Sequence, residues 1–402
     1  MLREPMDAAI LKAYHKKSQT VRWAKRQVVL DIPVDVFSSH QLDLGTAFLL
    51  RKMASAGTTW RTALDLGCGY GPIALFLASM GLSESVFGID RDALAVAFAE
   101  WNAQRNKVGG VTFQPGLVYD GVGGRRFDLV VSNLPAKAGE GVHRLFLLGA
   151  QEHLTLTGEV WIVVVRPLED TVDAILSHEN VELRDKAGRS GHVLYRYGFR
   201  GPVSTPADPY DRGRRSFRWK SISYQMQAWH GLPEFDTLSV DTELAFALLA
   251  RYVERERVGS VAVWDPGHGH LPVFLSKVSG HPFEFRIYGR DCLAIQATRT
   301  NLMLNGFAGR IGERVSIDFA VGDDAWHPDL IVGRLNDALG DGLSSDIVAR
   351  WFADHPDCTV ILSGRAAFAS RVGQRLGRSG VEVVQKLKRK GFSAACLRRK
   401  PR

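Results

Sequence analysis

The sequence predicts an α/β fold built as two tandem domains, each a mostly parallel twisted sheet with helices on both faces. Three observations lead there. Short apolar runs alternate with amphipathic stretches along the 402 residues, the pattern of βαβ units. A glycine-rich turn, Asp65-Leu66-Gly67-Cys68-Gly69-Tyr70-Gly71-Pro72, follows one such run and opens a helical stretch. The chain also repeats itself at a spacing near 199 residues, the mark of an internal duplication.

In the first half the strand candidates are residues 62–66, 86–90, 127–132 and 159–165. Helices are expected over 72–78 and 92–105. The second of these places Ala93, Val96, Ala97 and Trp101 on one face. The repeat is carried by several segments. Val21-Arg22-Trp23 recurs as Phe217-Arg218-Trp219, and Leu42 and Thr46 as Leu238 and Thr242. Arg91-Asp92-Ala93-Leu94-Ala95 recurs as Arg290-Asp291-Cys292-Leu293-Ala294, and Asn102 and Asn106 as Asn301 and Asn305. Asp128-Leu129-Val130-Val131 recurs as Asp329-Leu330-Ile331-Val332, and the turn is matched by Asp265-Pro266-Gly267-His268-Gly269 at an offset of 200. A Gly/Pro/Asp-rich linker over 201–213 puts the boundary near 205, giving domains 1–204 and 205–402.

Glycines let the backbone turn tightly and approach a ligand closely, and Pro72 suits a first helical turn. A dinucleotide site would space its glycines G-x-G-x-x-G to seat a pyrophosphate. Here the third glycine comes one residue early and an acid precedes the first. A carboxylate at the mouth suits a ligand carrying positive charge. Asp90 closes the next strand, where a carboxylate can accept both hydroxyls of a ribose. Together these residues resemble the cofactor site of class I S-adenosylmethionine-dependent methyltransferases, whose turn reads D-x-G-x-G-x-G. The resemblance implies two tandem Rossmann-like domains and assigns Asp65, Gly67, Cys68, Gly69, Gly71, Asp90, Arg91 and Asn133 to S-adenosyl-L-methionine. Cys68 reads as a small buried residue within the turn. After the third strand, where the family often has an acid for the adenine amine, stand Gly116 and Leu117, with Asp120 nearby.

Phe127-Asp128-Leu129-Val130-Val131-Ser132-Asn133-Leu134-Pro135-Ala136 matches the position of the family's N-P-P-F/Y loop, found in enzymes that methylate exocyclic amines. An aryl amine is a poor nucleophile because its lone pair is delocalised. Two acceptors on its hydrogens, the Asn133 side chain and the Leu134 carbonyl, would favour the pyramidal form. The catalytic set implied is Asn133, Leu134 and Pro135. The sequence departs from the pattern at Leu134, in place of proline, and at Ala136, in place of the aromatic that stacks on a base.

Val36-Phe37-Ser38, followed by Leu42-Asp43-Leu44-Gly45, resembles the lead-in of the tandem-domain bacterial ribosomal RNA guanine-N2 methyltransferases of the small methyltransferase domain type. The expected function is therefore methylation of an exocyclic amine in ribosomal RNA. The alternatives are a small-molecule or protein substrate, or a non-catalytic RNA-binding protein. In that family the working domain is usually the second; here the intact motifs lie in the first. His40 is a candidate substrate contact.

The second half keeps the fold and loses the chemistry. By the observed offsets Gly289 stands in the place of Asp90 and Arg334 in that of Asn133. It reads as a degenerate domain that holds substrate or supports the first. His268 and His270 lack a convincing third ligand, and no metal is expected.

Charge agrees with a polyanionic partner. The net charge is +8. Residues 184–220 hold ten Lys/Arg against three Asp, residues 11–26 six bases and no acid, and the tail from Lys386 eight bases and no acid. Between 195 and 219 these bases are interleaved with Tyr195, Tyr197, Phe199, Tyr210, Phe217 and Trp219. That pattern suits single-stranded nucleic acid or, equally, a strand whose aromatics face the core. No apolar stretch approaches a membrane span. Four scattered cysteines without a C-x-x-C pair fit a reducing cytoplasm. The duplication is compatible with a monomer.

Overall fold

The computed structural model describes residues 8–23, 26–36, 42–281, 283–317, 320–321 and 326–401. His40 lies outside the described residues. The chain divides into two compact units, Met1–Asp211 and Arg212–Arg402, a boundary about seven residues later than the linker composition suggests.

Unit 1 opens with α1 (Ala8–Tyr14) and an antiparallel hairpin of β1 (His15–Trp23) and β2 (Arg26–Pro33). There follow α2 (Leu44–Ser55), β3 (Trp60–Leu66), α3 (Pro72–Ser79), β4 (Ser83–Asp90), α4 (Ala93–Arg105) and β5 (Val111–Pro115). Then come β6 (Phe127–Asn133), α5 (Glu140–Leu148), β7 (Leu154–Val165), α6 (Glu169–Leu176), β8 (Val181–Arg189) and β9 (His192–Phe199). Seven strands form one sheet in the order β5-β4-β3-β6-β7-β9-β8. All neighbouring pairs are parallel except those of β9, which runs antiparallel to β7 and β8. The central strands are buried on both faces, so Val130, Val131, Ile162, Val163 and Val164 read as continuous apolar runs. Strand order reverses at β3, between β4 and β6, the place where open α/β sheets bind ligands at their carboxyl ends.

Unit 2 repeats the plan. Its elements are β10 (Asp211–Trp219), β11 (Ile222–Trp229), α7 (Val240–Val253), β12 (Ser260–Trp264), α8 (His270–Val278), β13 (Glu284–Gly289), α9 (Cys292–Leu304) and β14 (Ile311–Val315). They continue with β15 (Leu330–Arg334), α10 (Gly340–Asp354), β16 (Thr359–Arg365), α11 (Ala366–Arg378), β17 (Val381–Arg389) and β18 (Phe392–Arg399). The sheet order β14-β13-β12-β15-β16-β18-β17 mirrors that of unit 1.

The recurring asparagines explain themselves here. Asn102 Oδ1 accepts the Asp31 N–H at 2.7 Å, and its Nδ2 donates to the carbonyls of Asp31 and Tyr70, both at 3.0 Å. Asn106 bonds both backbone groups of Val29 at 2.8 Å. In unit 2 Asn301 serves Gln227 and His268 in the same manner, and Asn305 serves Gln225. Each pair clips the inner strand of an opening hairpin to a helix by satisfying backbone groups that would otherwise be stranded. The aspartates of the repeated D-L-V/I-V runs do related work. Asp128 accepts the N–H groups of Arg61 and Thr62, and Asp329 those of Gly259 and Ser260.

The turn's offset is corrected by this comparison. Gly71 and Gly269 both cap a helix in the left-handed region, and Gly71 N–H bonds Cys68 as Gly269 N–H bonds Pro266. The offset is thus 198, not 200. Asp265, with φ +48, occupies the place of Gly67, and Val263 that of Asp65.

The aromatic and basic segment is also settled in favour of the core. Tyr195 and Tyr197 are fully buried, with their hydroxyls donating to Asp173 and to the Leu147 carbonyl. Arg184 and Arg196 converge on buried Glu159, which also accepts the indole N–H groups of Trp60 and Trp161. Phe217 is buried against Tyr224 and His270, and Trp219 packs edge-on to Phe246 and Phe274. No helix among the described residues is long and apolar enough to cross a membrane.

Candidate active site

β3 delivers Asp65 to the interior and then breaks into the turn. Gly67, Gly69 and Gly71 adopt φ of +69°, +56° and +91°, conformations that side chains resist. The N–H groups of Gly67 and Cys68 both bond the Ile89 carbonyl, at 2.8 and 3.0 Å, tying the turn to β4. Around Gly67 and Gly69 an added Cβ would meet nothing within 4 Å, so the backbone faces open space there. At Gly71 the same atom would press on Ala99 at 3.2 Å. That glycine serves packing between α3 and α4.

Asp90 ends β4 and accepts one backbone N–H on each oxygen, from Gly69 and Asp92, both at 2.9 Å. These two bonds aim the carboxylate at the turn. Arg91 follows, half-buried, at the turn into α4. Asp65 is fully buried. Its Oδ2 accepts the Ala74 N–H at 3.1 Å, while Oδ1 is buried with no partner. Burial, with a smaller push from the Asp90 charge, raises its carboxyl to about 8. An unsatisfied buried oxygen beside a glycine bend fits a ligand that brings a donor or a positive charge. Cys68 is buried, and burial raises its thiol well above the usual range. It is a packing residue, as the sequence suggests. Gly116 is buried and its N–H bonds the Asp90 carbonyl. Asp120 is exposed at the following turn, its carboxyl raised by partial desolvation.

Asn133 ends β6, on the other side of β3. Its Nδ2 donates to Asp43 Oδ2 at 2.8 Å and to Thr46 Oγ1 at 3.0 Å. Asp43 is the N-cap of α2, with the same Oδ2 accepting the Thr46 N–H at 3.0 Å. Asn133 Oδ1 has no bond among the described residues. Leu134 is buried, its N–H bonded to Val163 at 2.9 Å. It fills the core where the family pattern has proline. Pro135 is exposed, and its carbonyl is held by the buried ring of His143 at 2.9 Å. Ala136 is exposed. Asp43, Thr46 and His143 were not singled out as site residues by sequence. The Leu-Asp-x-Gly lead-in and the recurrence of Thr46 were the signals.

In unit 2 the corresponding region is closed by an ion cluster. Arg334 pairs with Glu234 at 2.5 Å and with Asp241 at 3.4 Å, and its Nη2 meets the Ser239 hydroxyl at 3.3 Å. Ser239 is the N-cap of α7, as Asp43 is of α2. His268 bonds the Pro233 carbonyl and accepts the Trp229 N–H. His270 bonds the Tyr224 hydroxyl and the Glu234 carbonyl. Both ring nitrogens of each histidine are committed to structure. No group of three His, Cys, Asp or Glu among the described residues could hold a metal ion.

Residues 28–195, all within unit 1, match the family described as methyltransferase small domain. This segment is similar to the methyltransferase small domain. The turn and Asp90 agree with the methyltransferase class that this description names. The chain is 29% identical over 151 residues to the uncharacterized protein YbxB of Bacillus subtilis, covering 37% of this chain and 75% of that one. It is 32% identical over 160 residues to ribosomal RNA small subunit methyltransferase C of Acinetobacter baumannii, covering 37% and 45%. The match thus spans less than half the length of that relative. Among solved structures, the Thermus thermophilus 16S rRNA N2 G1207 methyltransferase, in complex with AdoMet and guanosine, shares the fold across both units. Its TM-score is 0.68 at 16% identity, over 97% of this chain and all of that one.

Proposed function

We propose that unit 1 binds S-adenosylmethionine and methylates an exocyclic amine of a base in ribosomal RNA, in the cytoplasm, while unit 2 is a degenerate copy that supports the first or holds substrate. When bound, the cofactor supplies a sulfonium methyl: a nitrogen–carbon bond forms as the sulfur–carbon bond breaks and sulfur keeps the pair. The observation that carries this reading is the orientation of Asn133, whose donors are turned onto Asp43 and Thr46. Its carbonyl oxygen is left as an acceptor at the carboxyl edge of the sheet, on the opposite side of β3 from Asp90.

On this reading Asn133 Oδ1 and the Leu134 carbonyl accept the hydrogens of the target amine and aim its lone pair. The proton leaves to solvent once the nitrogen is cationic, so no strong base is needed. Correct positioning of reactants is worth on the order of 7–11 kcal/mol. Asp90 holds the ribose hydroxyls, and the turn of Gly67, Cys68 and Gly69 lets the cofactor lie against backbone, with Arg91 beside it. The names of the relatives support RNA as substrate.

Exposed Ala136 offers no aromatic face to a base, which favours a smaller or non-nucleic acceptor as the second reading. Labelled methyl transfer from the cofactor into unmodified ribosomal RNA, protein and small-molecule fractions tests both. Label in the RNA, recovered after alkaline hydrolysis in a nucleotide methylated on its exocyclic amine, is the expected result. Label confined to another fraction selects the second reading. A chain that binds neither the cofactor nor its demethylated product is neither.

A further inference from the structure

We propose that Asp43 is a positioning residue that dictates which end of the Asn133 amide faces the substrate. The amide has a donor end and an acceptor end of nearly equal size, and only one suits an amine's hydrogens. An ionised carboxylate can only accept. With Asp43 Oδ2 at 2.8 Å, the nitrogen end must face α2 and the oxygen end the acceptor side. Asp43 is itself immobilised. Its Oδ2 caps α2 through the Thr46 N–H, and the neighbouring Leu42 N–H is tied to Gln19 of β1 at 2.9 Å. Space around it is closed as well, since a Cβ on Gly45 would meet both Asp43 Oδ2 at 2.9 Å and the His192 ring at 2.6 Å.

Unit 2 supplies an independent observation. There the helix cap at the same place, Ser239, again contacts the residue ending the fourth core strand, Arg334. The cap-to-strand relationship therefore survives where the chemistry does not. What differs is polarity: a guanidinium has no acceptor end to present.

The inference rests on Asn133 being the amine acceptor, and the test separates the two ideas. In the full chain, Asp43→Ser keeps a good helix cap but is too short to hold the amide, whereas Asp43→Asn preserves an oxygen at the same position. The first readout needs no activity: hydrogen exchange of the Asn133 side-chain amide by NMR, assigned through Asn133→Ala. Exchange at least tenfold faster in Asp43→Ser than in the wild type, and restored towards it in Asp43→Asn, is expected. Equal exchange in all three overturns the proposal. The second readout is methyl transfer to unmodified ribosomal RNA. Asp43→Ser should lower kcat on the order of a hundredfold with KM for the cofactor unchanged, and should add nothing in an Asn133→Ala background. Additive losses overturn the proposal. Full activity of Asn133→Ala with a locked wild-type amide would instead overturn the role given to Asn133 and leave the positioning intact.

Discussion

The backbone N–H of Gly69 donates to the carboxylate of Asp90 at 2.9 Å, so the residue that would hold a ribose is fixed by the turn it serves. Replacing Asp90 by alanine removes the acceptor of two ligand hydroxyls and loosens the bend together. Two hydrogen bonds to a charged group are worth roughly 3–6 kcal/mol. Affinity for S-adenosylmethionine, measured by calorimetry, should fall by two to four decades. An unchanged constant would remove Asp90 from the site.

Two glycines of the turn should behave differently. Gly71→Ala forces a Cβ onto Ala99 at φ +91°, a strain of about 1–2 kcal/mol before the clash is counted. It should lower the melting temperature by several degrees. Gly69→Ala has only the backbone strain, because its surroundings are open. It should melt above Gly71→Ala, though below the wild type, yet bind the cofactor poorly, since its methyl takes ligand space.

Asp65 makes both stability and binding depend on pH. Its carboxyl titrates near 8 when folded, against 3.8 ordinarily. The native state therefore holds a proton that the unfolded chain has released. The stabilisation is complete below about pH 4 and is lost as pH rises through about 8. Asp65→Asn should flatten this slope in chemical denaturation. A cation bound beside Oδ1 would ionise the acid, so cofactor binding at pH 7 should release a proton in the wild type and none in the variant. Calorimetry in buffers of different ionisation enthalpy reads this directly.

Arg334→Ala should unfold unit 2 more easily by about 3–5 kcal/mol, because removing one partner of a buried cluster strands the charges left behind. Glu234 is held below the usual carboxylate range: burial pushes it up, but the Arg334 charge, His270 and the hydrogen bonds with Ser239 together outweigh that push. The loss should therefore shrink at acid pH as that carboxylate is protonated. Denaturation at two pH values checks it.

The core sheets were legible because their strands are buried on both faces and read as apolar runs. Residues 127–132 and 159–165 lie within β6 and β7. The opening hairpin was not. β1 alternates exposed and half-buried polar residues, and only Trp23 is buried, so it reads as a basic stretch. The turn's register slipped because Asp265 mimics Asp65 by identity while sitting at the place of Gly67. Tyr195 and Tyr197 carried the same letters as a stacking platform, and only their burial distinguishes the two. Asp43 reads only as part of the lead-in, without a role, because its partner lies 90 residues away.

The ion cluster of unit 2 also acts as an interlock. An asparagine placed at 334 alone would leave Glu234 and Asp241 as two uncompensated interior anions, so the three side chains can be exchanged for neutral ones only together.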